Sequence, residues 1–115
     1  MGTTEAHRGK DECYLLLALR KIGGTWKLLL LRELWERPRR FRDLRKALRT
    51  ISSTSLARGL KELERDGLIS RTVLGTRPPE VTYALIHNDP DLREAINHLT
   101  QWGKKHTQGT IARKP

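Results

Sequence analysis

The chain has 115 residues, enough for one domain with a modest core and too few for a second of ordinary size. Twenty-three Lys and Arg against thirteen Asp and Glu give a formal charge of +10, which points to a polyanionic partner, nucleic acid ahead of a membrane surface. A single cysteine excludes an internal disulfide framework and a multi-cysteine zinc site, and fits a reducing cytoplasm.

Residues 1–10 are polar and are expected to form a disordered tail, with one domain over 11–107 and a flexible tail over 108–115. MGTTEAHRGKDE has no apolar signal core, and no apolar run approaches the roughly 20 residues of a membrane span. Helical periodicity begins at Glu12 and runs to Ile22, with Leu15, Leu19 and Ile22 on one stripe. Leu16, Leu17 and Ala18 widen that surface beyond what one small domain covers, so a second chain is expected there.

Gly23-Gly24 breaks the first helix, and Thr25 is the expected cap of a second, Trp26 to Trp35, stopped by Pro38. A third follows from Phe41 to Leu48, where Phe41, Leu44 and Leu48 share a stripe. After about four residues comes ISSTSLARGLKELERDGLISR, residues 51–71. Leu56, Leu60 and Leu63 fall on one side of a helix, and Thr54, Arg58, Lys61 and Arg65 on the other. Ser52 or Ser53 offers a cap, and Asp66-Gly67 a stop. Two short helices around a tight turn, the second cationic outward, are the helix-turn-helix layout. The period then changes: Leu68–Leu74 and Val81–Leu85 are strand-like around GTRPPE, a stiff hairpin tip suited to a wing on DNA. Asp89-Pro90 opens a last helix to about His106, with Leu92, Ala95, Ile96, Leu99 and Trp102 on its apolar stripe. The fold expected is therefore mainly α with a small β-hairpin, a winged helix-turn-helix with added terminal helices.

Residues 36–77 carry twelve Lys or Arg against five Asp or Glu, so most of the excess charge lies on the helix-turn-helix and wing. Ser52, Ser53, Thr54, Ser55, Arg58 and Lys61 are the candidates for base edges and nearby phosphates, Arg58 being able to fork onto a guanine. Arg39, Arg40 and Arg42 suit backbone phosphate, which fixes register without reading sequence. Arg71 and Arg77 are the wing candidates. His7, His87, His98 and His106 are dispersed too widely for one metal ion, and no cofactor is expected. There is no Gly-rich phosphate loop, carboxylate cluster or nucleophile with a base beside it, so an enzyme is not expected.

The ordered set Cys13, IGGTW at 22–26, LLLLREL at 28–34, RF at 40–41, LRKAL at 44–48, IS at 51–52, LARGLKELERDGLISR at 56–71, PPEVTYAL at 78–85 and WG at 102–103 resembles the HxlR-type winged helix-turn-helix transcriptional regulators of bacteria and archaea. The resemblance implies a homodimer joined through first and last helices, with Leu15, Leu19, Leu92, Ile96, Leu99 and Trp102 at the interface. Each subunit then places one recognition helix in the major groove of double-stranded DNA. Many members repress, and several sense oxidants or electrophiles through a cysteine matching Cys13. Two readings of Cys13 stand: a redox sensor responding to a small electrophile or oxidant, or interface packing. The functional expectation is a sequence-specific DNA-binding regulator, a repressor on a pseudo-palindromic operator. The alternative is an architectural or RNA-associated basic module without sequence choice.

Overall fold

The computed structural model describes residues 2–107. In chain order the elements are α1 (Gly2–Ile22), α2 (Lys27–Glu33), β1 (Arg39–Arg40), α3 (Phe41–Ala47), α4 (Ser53–Arg65), β2 (Ile69–Leu74), β3 (Glu80–Leu85) and α5 (Pro90–His106). The mainly-α winged-helix architecture agrees with the sequence reading. The first helix, however, starts at Gly2 and not at Glu12, and the C-terminal tail expected over 108–115 lies outside the described residues.

The core gathers the leucines of three helices. Leu30 and Leu31 from α2, Leu34 just past its end, Leu44 from α3, and Leu56, Leu60 and Leu63 from α4 are buried together with Ile51 and Ile69. Burying a leucine contributes about 1.5–3 kcal/mol, so this cluster fixes how α4 lies on the domain. Gly59 completes the contact: a Cβ there would stand 3.0 Å from Leu30 Cδ1, which lets α4 approach α2 closely. At the other end of α4, Gly67 adopts φ +78°, Leu68 N–H donates to Leu63 O at 2.9 Å, and Gly67 N–H to Glu64 O at 3.0 Å. These two bonds satisfy carbonyls left over at the helix end and turn the chain into β2.

Two details of the sequence reading are corrected. Trp26 occupies the N-cap position of α2 with helical angles and no side-chain cap, so Thr25 stands one residue too early to cap it. Helix α2 also ends at Glu33, before Trp35, where Leu34 N–H divides between Leu30 O and Leu31 O, each at 3.2 Å. The caps of α4 and α5 are as expected: Ser52 Oγ accepts from Ser55 N–H at 3.0 Å, and Asp89 Oδ1 accepts from Asp91 N–H at 2.8 Å ahead of Pro90.

The hairpin β2–β3 runs in antiparallel register from Ile69 opposite Leu85 to Leu74 opposite Glu80. A third strand, absent from the sequence reading, joins it: β1 pairs with β3, placing Arg39 opposite Tyr83 and Arg40 opposite Thr82. No helix among the described residues is long and apolar enough to cross a membrane.

Candidate nucleic-acid interface

Helix α4 is divided lengthwise. Its leucines are at most 1 % exposed, whereas Thr54, Arg58 and Lys61 are open to solvent on the other side. Because 3.6 residues complete a turn, burying positions 56, 60 and 63 forces positions 54, 58 and 61 outward. Among the described residues neither Arg58 nor Lys61 belongs to an ion pair, so their cationic groups remain available to an anionic partner.

The start of α4 is more constrained. Ser52 spends its oxygen as a cap, Ser53 accepts a hydrogen bond from Arg45 Nη1, and Ser55 is half-buried. Of the serine–threonine group, Thr54 is the exposed member whose side chain has no hydrogen bond among the described residues. Arg45 is not among the candidates named from the sequence, although its spacing carries the signal. Arg42, Arg45 and Lys46 stand at i, i+3 and i+4 on α3, all exposed, and with Phe41 they border one shallow cleft.

The three arginines assigned to phosphate separate. Arg42 is exposed on α3. Cross-strand partners project to the same face of a sheet, so Arg39 shares the side of Tyr83, which packs against the core. Its side chain is 17 % exposed, Nη2 lies 3.7 Å from Glu33 Oε1, and Nε is buried without a partner among the described residues. Most of its side chain is therefore held within the domain beside Glu33. Arg40 projects from the opposite face, and its Nη2 pairs with Glu80 Oε2 at 2.8 Å, still nearly half exposed. That pair joins the entry of α3 to the start of β3. Arg71 and Arg77 are both exposed, the first on β2 and the second in the hairpin tip.

A tertiary ion pair lies behind α4. Lys27 Nζ, 13 % exposed, is 2.7 Å from Glu62 Oε1. The hydrogen bond and charge of Lys27, with smaller help from Arg65 and Arg58, hold the Glu62 carboxyl below its ordinary pKa.

The terminal helices carry exposed apolar side chains. Leu15, Leu16, Leu17 and Leu19 on α1 are 50–60 % exposed, and Leu99 and Trp102 on α5 are 55 % and 58 %. Ile96, on the same helix, is 6 % exposed and already covered within this chain. Leu92 is half-buried against the core cluster. Cys13 is an exposed, free thiol on α1.

Three packed helices, a leucine-anchored helix with a cationic outer flank and a β-hairpin beside it define a winged helix-turn-helix. A family model described as HxlR-like helix-turn-helix matches residues 21–110. The chain is 39 % identical over 96 residues to the HTH-type transcriptional regulator YdeP of Bacillus subtilis, covering 84 % of this chain and 75 % of that one. It is 36 % identical over 100 residues to an HTH-type transcriptional regulator of Methanothermobacter thermautotrophicus, covering 85 % and 76 %. The structure of the redox regulator HypR in its oxidised form superposes with a TM-score of 0.74 at 31 % identity, over 82 % of this chain and 97 % of that one. The chain belongs to the HxlR-like helix-turn-helix family of transcriptional regulators.

Proposed function

We propose that the protein is a homodimer that reads double-stranded DNA by sequence and represses transcription from a pseudo-palindromic operator in the cytoplasm. The observation that carries this reading is the division of α4, with Leu56, Leu60 and Leu63 inside and Thr54, Arg58 and Lys61 outside. In this reading α4 enters the major groove and Arg58 forks onto a guanine, a contact worth about 1–3 kcal/mol of discrimination. Arg42, Arg45 and Lys46 hold backbone phosphate, and Arg71 and Arg77 bring the wing against the duplex. The partner subunit covers the apolar surfaces of α1 and α5, including Leu15, Leu19, Leu99 and Trp102. Two-fold symmetry then sets half-sites about 34–36 Å apart. Repression follows the resemblance to regulators of which many repress.

Similarity to the redox regulator HypR, together with an exposed free thiol, supports a second part of the reading: oxidation or alkylation of Cys13 alters operator affinity. Titrating operator and scrambled duplexes with Arg58→Ala and Arg42→Ala tests the assignment. Arg58→Ala is expected to narrow the gap between the two duplexes, and Arg42→Ala to weaken both alike. A wild-type ratio near one favours the module without sequence choice.

A further inference from the structure

Glu62 sits on the recognition helix one turn beyond Arg58 and three residues before Arg65. Side chains three and four apart on a helix are neighbours, with Cβ atoms about 5–6 Å apart, so an unattached Glu62 carboxylate has two arginines within reach. It takes neither. Its Oε1 lies 2.7 Å from Lys27 Nζ on α2, and among the described residues Arg58 has no ion pair. Lys27, Ser55, Arg58, Gly59 and Glu62 line one open cleft of about 200 Å³ beside Gly23-Gly24, so the lysine, the carboxylate and the arginine share one local environment.

We propose that Lys27 is a positioning residue for DNA reading: it draws the Glu62 carboxylate back onto α2, so that Arg58 meets the duplex uncompensated. The inference rests on the DNA-reading assignment above and adds to it a residue on another helix that never touches the duplex. Two features of the pair make the device effective. Lys27 is largely covered, so its own charge is poorly placed to meet phosphate. Glu62 is one-third exposed and remains able to swing toward Arg58 or Arg65 once its lysine is gone. A carboxylate released in this way costs affinity twice, by occupying the arginine and by setting a negative charge near phosphate.

The test uses an operator duplex selected from a random pool and its scrambled counterpart, titrated by fluorescence anisotropy with the full chain. Lys27→Met is expected to lose about tenfold in operator affinity, in the range of one lost arginine–base contact. Lys27→Met with Glu62→Gln should return to within about twofold of wild type, because no carboxylate is left to misplace. Lys27→Met with Glu94→Gln, an exposed acid on α5, restores the same net charge and should stay weak. Glu62→Gln alone, which removes the carboxylate and leaves Lys27, should keep the discrimination of the wild type. This single variant also decides the matter if Lys27→Met melts too low to be titrated. Rescue by Glu94→Gln equal to that by Glu62→Gln, failure of the double variant to recover, or a tenfold loss on Glu62→Gln alone would each overturn the proposal. A wild type that binds both duplexes equally overturns the DNA-reading assignment itself, and this inference with it.

Discussion

Arg45 donates from Nη1 to the hydroxyl of Ser53, bridging the exposed face of α3 and the first residue of α4. The turn of the helix-turn-helix is thereby closed by a side chain as well as by the shared leucine core. The bond occupies one of the five guanidinium N–H groups, leaving the others for phosphate.

Salt titration separates this tie from the proposed phosphate contact of Arg45. Arg45→Ala is expected to lower the slope of log affinity against log salt by about 0.9, the value of one phosphate contact. Ser53→Ala removes the tie and keeps the cation, so its slope should match the wild type. Equal slopes for all three proteins would place Arg45 away from the DNA backbone.

The Lys27–Glu62 pair gives stability a pH dependence of defined sign. The folded carboxyl titrates below its unfolded value, so the contribution is present above that unfolded value and is lost as pH falls through the lower folded one. The wild type should therefore melt above Glu62→Gln near pH 7, and the gap should close as the carboxyl protonates. Thermal denaturation of both proteins across pH 3–7 measures it, and a gap unchanged with pH would contradict the assignment.

Gly67 tests the turn from α4 into the wing. Its φ of +78° is open to glycine and strained for an L-residue, so Gly67→Ala should cost about 1–2 kcal/mol. For a domain of this size each kcal/mol lowers the melting temperature by about 4–8 °C. DNA discrimination at a temperature where the variant is folded should be little changed.

The exposed apolar faces of α1 and α5 predict oligomer-breaking substitutions. If the proposed homodimer pairs through these faces, Leu19→Asp and Trp102→Asp should convert a sedimenting dimer to a monomer with little change in helical content, since both side chains are more than half exposed. Ile96→Asp behaves differently, because Ile96 is already buried within its own subunit and the variant should unfold. Dimers persisting in both of the first two variants would move the interface elsewhere.

What the sequence made legible was whatever repeats along one element. The leucines of α4, its serine cap and glycine stop, the hairpin and the Asp-Pro start of α5 all obey local periodicity or local turn chemistry. What it hid depends on contacts between elements. A two-residue strand such as β1 is too short to show alternation, so Arg39 and Arg40 looked equivalent until β3 assigned them opposite faces. Lys27 and Glu62 are 35 positions apart and only the packing of α2 on α4 joins them. On α5, Ile96, Leu99 and Trp102 form one stripe in sequence, yet the domain covers the first and leaves the other two open.

Sequence reading by α4 is decided by selecting bound duplexes from a random DNA pool in parallel with the wild type and Arg58→Ala. A two-fold symmetric motif with half-sites one helical turn apart is expected, with loss of base preference at one position per half-site in the variant. No enriched motif, or an identical motif from both proteins, would contradict it.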